Sequence, residues 1–256
     1  MQIKSISSDE LHIWLLPAED RNISPLSEQA ASTVLKGQDL ARYKHFKVER
    51  KKLEFLFSRL LLRHLLDTYF AGDKADITTT ADELGRPYWI YGGRRLDLFF
   101  SLSHTRDFIC CAVSREEKTG CDIELIRPRG SEQRLAEKVF SAREHQFYLN
   151  LAPQGRRLFF YRSWTLKEAY VKAVGQGLRV LLRSLDFTHL VPPGEPVLIP
   201  PDRLGHLSAA PPSWMFLSQP AGGSHIFSCA TMASGSRVTF FTTDTKTLYH
   251  NAIGNL

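Results

Sequence analysis

At 256 residues and 43% hydrophobic content, the chain can build one large core or two small ones. Its apolar stretches near residues 13–16 and 53–66 are short or charge-interrupted, which excludes a bilayer span of ~20 apolar residues. The net charge of +6 favours a polyanionic ligand or partner.

Taken in chain order, residues 10–17 read as a strand that Pro17 ends. A helix is expected to begin near Ser27. A longer one should cover 39–70, with a break near 46–49, because Phe46, Leu53, Leu56, Phe57, Leu60, Leu61 and Leu65 recur at helical spacing. Residues 42–63 hold eight Lys or Arg against Glu49 and Glu54, a local surplus as large as that of the whole chain. Such a run is either a solvated helix face or an anion-binding surface. Gly85-Arg86-Pro87 and Gly92-Gly93 are turn signals. Strands are expected at 96–102, 108–114 and 120–125, the last two around a charged turn. A helix should cover 131–139. Ser141-Ala142-Arg143-Glu144 fits a capping box for another over 143–151. A further helix starts near 155–157 and stops at Gly175. The rest is strand-like at 184–190, 214–219, 225–232 and 237–242, separated by proline pairs.

Cys110, Cys111, Cys121 and Cys229 show no metal-ligand spacing, so reduced, buried thiols of a cytosolic protein are expected instead of zinc. Met1-Gln2-Ile3-Lys4-Ser5 has no basic stretch leading into an apolar run, so no secretory leader is expected.

The chemistry concentrates in three short motifs. In Gly120-Cys121-Asp122-Ile123-Glu124, the two acids lie two apart on a strand and share one face, opposite Cys121 and Ile123. In Trp164-Thr165-Leu166-Lys167-Glu168-Ala169-Tyr170-Val171-Lys172, Trp164, Glu168 and Lys172 are four apart and share a helical stripe. Ser101-Leu102-Ser103-His104 offers hydroxyl and imidazole donors to a phosphate. It could also suggest a nucleophile with its base, but the pair are sequence neighbours and no orienting third group is evident. Asp122, Glu124 and Glu168 are hard oxygen donors of the kind magnesium takes. Each feature alone is ordinary: exposed acids alternate on many strands, and Glu168 with Lys172 could be a simple i,i+4 ion pair.

Together, the motifs resemble the 4′-phosphopantetheinyl transferases of the surfactin-synthetase-activating type. Their hallmark is G-[IV]-D-[ILV]-E followed by W-[ST]-x-K-E-[AS]-x-x-K, with Cys121 here where Ile or Val is usual. The resemblance covers about residues 42–177. It implies an α/β (α+β) fold of two similar subdomains related by a pseudo-twofold axis, with the active site at their interface. Residues 1–117 would form the coenzyme-binding half, and 118–256 the half with metal and catalytic residues. It implies Mg²⁺ on Asp122, Glu124 and Glu168, with Glu168, Lys172 and Lys167 as catalytic groups. It implies coenzyme A contacts from Arg42, Arg86, Ser103 and His104. The reaction would move the 4′-phosphopantetheine arm of coenzyme A to a serine of an acyl, peptidyl or aryl carrier protein domain, releasing adenosine 3′,5′-bisphosphate. A cytoplasmic monomer is expected, with neither nucleic acid nor membrane as partner. Glu54 departs from the pattern, because the resemblance puts a basic phosphate contact there, and Arg50 or Lys51 is expected to substitute. Two other readings use the same letters: a magnesium-dependent nuclease, and a nucleic-acid-binding protein. The latter lacks a recognisable binding module and aromatics interleaved with the basic run.

Overall fold

The computed structural model describes residues 6–18, 28–72, 74, 76–175, 182–188, 197–199, 214–232 and 237–254. The segment that Pro17 ends forms β1 (Glu10–Pro17). The helical apolar spacing that follows forms α1 (Glu28–Val34), α2 (Gly37–His45) and α3 (Glu49–Tyr69). The break between the last two falls where expected, with Phe46 and Val48 in extended conformation. A small antiparallel sheet of β2 (Thr78–Ala81), β3 (Pro87–Tyr91) and β4 (Arg94–Arg95) comes next. Then come β5 (Phe99–Thr105), β6 (Phe108–Ser114) and β7 (Thr119–Leu125).

The second half continues with α4 (Glu132–Val139), α5 (Ala142–Asn150) and α6 (Pro153–Val174). The capping box of α5 is complete: the Glu144 backbone N–H donates to Ser141 Oγ, and the Ser141 N–H donates to Glu144 Oε2. Helix α6 opens on Pro153 and ends on Gly175, whose φ of +72° is the left-handed conformation that lets the chain turn away. Then follow β8 (Val197–Ile199), β9 (Trp214–Ala221), β10 (His225–Thr231), β11 (Arg237–Thr242) and α7 (Thr245–Gly254).

Two four-stranded sheets result, in the orders β11-β1-β6-β5 and β7-β10-β9-β8. Their facing surfaces share one apolar layer that includes Leu11, Ile13, Cys110, Cys121, Ile123, Phe227 and Cys229. Because both faces of β6 and β10 are covered, every residue of each is buried. Long helix α3 packs with the first sheet and α6 with the second, each with its own core. This is a mixed α/β architecture of two comparable halves.

Two expectations need correction. The strand expected at 96–102 lies three residues later. Leu96 instead donates its N–H to the Trp89 carbonyl, closing the small sheet, and Leu98 is buried as core. The Ser-Leu-Ser-His element therefore lies wholly within β5. The strand expected at 184–190 is absent from its described part. A single 3₁₀ turn at Leu182–Ser184 stands there, and positions 189–190 lie outside the described residues. Beyond the expected elements, β11 pairs parallel with β1, and α7 packs on α3, so the chain returns to its first half. Strands β2 to β4, β8 and helix α7 were not anticipated. Among the described residues, no helix is long and apolar enough to cross a membrane.

Candidate active site

The site forms where β7 meets α6. Gly120, Asp122 and Glu124 share the face of β7 toward the helix, while Cys121 and Ile123 enter the layer between the sheets. The helix comes unusually close at Gly120, where an added Cβ would lie 2.0 Å from the Ala169 carbonyl oxygen and 2.5 Å from the Ala173 nitrogen. That approach brings one face of α6, with Glu168 and Lys172, over the strand acids. Thr165 Oγ1, one turn earlier, meets Ser228 Oγ on β10 at 2.7 Å and fixes the helix against the sheet.

Asp122 is 6% exposed. Its Oδ1 accepts from Lys172 Nζ at 2.8 Å and from Ser103 Oγ at 2.7 Å. Its Oδ2 is buried with no hydrogen-bond partner. Burial, and then repulsion from Asp122, hold the Glu168 carboxyl above its usual pKa. Burial also raises Glu124, against the pull of Arg129, whose Nη2 donates to Glu124 Oε2 at 2.8 Å. For Lys172, burial opposes the ammonium form, but Asp122 and nearby thiols outweigh it and the net shift is upward.

Two clefts run away from these groups. One of about 320 Å³ is lined by Glu168, Lys172, Arg86, Ser101 and Leu102. It shares Gly85, Pro87 and Leu102 with a larger cleft of about 610 Å³ that reaches Arg42, Lys51, Arg59 and His104. Arg86 is presented by a turn in which Asp82 Oδ1 accepts from the Leu84 and Arg86 N–H groups and Gly85 adopts φ +85°. Its guanidinium donates to the carbonyls of Ala173 and Glu117, so it also ties the turn to the end of α6.

The expected site residues thus separate into groups. Asp122, Glu124, Glu168 and Lys172 come together. Arg86, Arg42 and His104 line the clefts beside them. Ser103 does not join His104: alternate residues of β5 face opposite ways, and Ser103 turns inward to Asp122. That geometry also removes any Ser–His nucleophile pair. Lys167 is a correction. One residue along a helix is about 100° around it, and Lys167 is fully buried away from the acids. Its Nζ contacts Glu144 Oε2 at 2.6 Å and the carbonyls of Val139, Leu182 and Leu185 at 2.8 Å each. The pairings of Arg129 with Glu124 and of Glu144 with Lys167 were missed, because nothing in the local spacing announces them. Trp164 stacks on Phe160 and belongs to the aromatic cluster under the helix.

A magnesium ion can be tested against these donors. Among the described residues, no three His, Cys, Asp or Glu side chains already form a metal-holding cluster. Cations occupy part of the acids instead. The unpartnered Asp122 Oδ2, beside a glutamate that it repels, is nonetheless a vacant hard donor. Mg²⁺ takes only one or two carboxylates, with waters and substrate phosphates completing its shell. The residues fit that mode.

Residues 24–116 match the 4′-phosphopantetheinyl transferase N-terminal family, and residues 118–216 the 4′-phosphopantetheinyl transferase superfamily. The 4′-phosphopantetheinyl transferase HetI of a Nostoc species is 33% identical over 179 residues, 69% of this chain and 73% of the relative. The 4′-phosphopantetheinyl transferase psf-1 of Bacillus pumilus is 29% identical over 174 residues, 67% of this chain and 71% of the relative. The 4′-phosphopantetheinyl transferase AcpT of Escherichia coli K12 is 40% identical over 107 residues, 42% of this chain and 53% of the relative. With both motifs at one β7–α6 junction and this similarity across two thirds of its length, the chain belongs to the 4′-phosphopantetheinyl transferases and acts on carrier proteins.

Proposed function

We propose that this transferase uses coenzyme A and Mg²⁺, with coenzyme A lying along the two contiguous clefts. The observation that carries this reading is the cluster of Asp122, Glu168 and Lys172 at one end of a cleft whose other end is cationic. A ligand with phosphates at two separated places suits such a channel. The pyrophosphate lies near Arg86 and Lys172, and the 3′-phosphate near Arg42 and His104.

Asp122 and Glu168 hold the ion, with Glu124 as a weaker third donor because Arg129 engages it. Bound Mg²⁺ supplies charge neutralisation at the pyrophosphate. Glu168, directly or through water, takes the proton of the carrier serine. The serine oxygen bonds to the β-phosphorus of coenzyme A while the bond from that phosphorus to the bridging oxygen breaks. The bridging oxygen leaves with adenosine 3′,5′-bisphosphate, and Lys172 stabilises its new charge. Ser103 orients Asp122 through their 2.7 Å bond. Lys167 has no part in the reaction.

The carrier serine arrives from the side of Glu124, where Arg106, Arg127 and Arg129 line a basic recess. Exposed Phe147, Leu149 and Leu158 add apolar surface on the second half. An acidic helix of an acyl, peptidyl or aryl carrier domain fits this mixture. We infer a cytoplasmic monomer, in keeping with four buried free thiols. The test is intact-mass analysis of several apo carrier domains incubated with coenzyme A, Mg²⁺ and this protein. Each accepted carrier gains the mass of one phosphopantetheine arm. No mass gain on any carrier with coenzyme A and Mg²⁺ present would refute the assignment of co-substrate and metal.

A further inference from the structure

The cationic end of the larger cleft contains a carboxylate. Glu54, on α3, is 6% exposed. Its Oε2 lies 2.6 Å from Lys51 Nζ and 3.5 Å from His104 Nδ1, and its Oε1 lies 3.7 Å from Arg50 Nε. It stands where two clefts meet. The 610 Å³ cleft and a 380 Å³ recess lined by Arg106, Arg127 and Arg129 share Lys51, Glu54 and His104 as their common wall.

We propose that Glu54 determines nucleotide specificity: it competes with the 3′-phosphate of the co-substrate for Lys51 and His104, so this chain distinguishes coenzyme A only weakly from its 3′-dephospho form. The inference rests on coenzyme A occupying the clefts as described above.

On an exposed helix, Glu54 with Arg50 and Lys51 would be an ordinary set of i,i+3 and i,i+4 ion pairs. Burial changes its weight, because a buried carboxylate depends on its cations and loses much when they are drawn away. A phosphomonoester reaching Lys51 and His104 takes Lys51 from Glu54 and adds negative charge beside it. The 3′-dephospho ligand does neither. The other cations of this cleft do not all compensate. Arg59 Nε is held by Asp39 Oδ2 at 2.8 Å. Arg42, stacked over Phe55 at 5.4 Å, is the remaining Lys or Arg of the three that line this cleft.

Calorimetric titration of the intact protein with coenzyme A and with 3′-dephospho-coenzyme A tests this. The unaltered chain should prefer coenzyme A by less than about tenfold, since one unopposed cation accounts for little more than one favourable ion contact. Glu54→Gln, which keeps the shape and removes the charge, should tighten coenzyme A by about fivefold or more and leave the 3′-dephospho ligand within about twofold. A purely structural role for Glu54 would shift both ligands alike. A preference above tenfold in the unaltered chain overturns the inference without any variant. So does a Glu54→Gln variant that binds coenzyme A no better, or shifts both ligands equally. If neither ligand binds, the coenzyme reading fails and this inference with it, an outcome distinct from binding without the expected ratio.

Discussion

Gly120 lies directly beneath the backbone of α6, with space for no more than hydrogen between it and the Ala169 carbonyl. This contact sets the distance between Asp122 on β7 and Lys172 on α6, whose side chains meet at 2.8 Å. The glycine of the motif is therefore a packing residue whose absence of a side chain brings the reactive groups together.

Gly120→Ala should lift the helix from the strand. Overpacking of this kind costs about 1–3 kcal/mol or more, so the melting temperature should fall. Turnover should fall further than the stability loss explains, because Glu168 and Lys172 ride on the displaced helix. A thermal melt beside a carrier-modification assay checks both, and wild-type values in the two together would show that the close approach is unimportant.

Asp122→Ala and Glu168→Ala should each reduce kcat by about 100-fold or more while the protein remains folded, if both hold the ion as proposed. Glu124→Ala should cost about tenfold or less, because water can replace one ligand of Mg²⁺. Chelator should abolish activity and added Mg²⁺ restore it. Steady-state kinetics with circular dichroism as a folding control decides the ranking, and undiminished turnover in both of the first two variants defeats the metal assignment.

Lys167→Met should act on stability instead. It strands buried Glu144, which also accepts from the Phe187 and Ser141 N–H groups, and breaking such a buried pair costs about 3–5 kcal/mol. Adding Glu144→Gln should recover part of the loss. Denaturant titration measures this. A Lys167→Met protein of normal stability but abolished turnover would restore Lys167 to the chemistry.

The raised carboxyls of Glu168 and Glu124 make stability depend on pH and metal together. Between their ordinary pKa and the raised folded one, the folded protein holds more protons than the unfolded chain. Stability contributed by these two groups is therefore lost as pH rises through that window. Mg²⁺ should reverse the loss, so its stabilising effect should grow with pH across the window. Melting curves with Mg²⁺ or chelator, compared with Glu168→Gln, should show that growth diminished in the variant. A metal effect independent of pH in the unaltered protein would contradict it.

Raising salt should increase KM for an acidic carrier more than it lowers kcat, because complementary charge mainly speeds encounter and is screened within about 10 Å at 0.1 M. Initial-rate kinetics across a salt series gives the answer. A flat KM would mean that docking relies on Phe147, Leu149 and Leu158 instead of on Arg106, Arg127 and Arg129.

Local pattern determined much of this protein by itself. Helical spacing marked α3, and short apolar runs bounded by turn signals marked β1, β6, β7 and β10, because neighbours along the chain decide such features. The capping box at Ser141 and the stop at Gly175 were legible for the same reason. So were the chemical types in the two motifs and the shared stripe of Glu168 and Lys172. Tertiary structure decided everything that depends on a partner distant in sequence. It turned Ser103 to Asp122 and sent Lys167 to Glu144, although each stood beside a residue of the site. It drew β11 back to β1, where parallel pairing needs a long connection that no local signal announces. It also buried Glu54 between Lys51 and His104. A carboxylate on a basic helix looks like an ordinary surface ion pair until a strand from elsewhere in the fold removes its water.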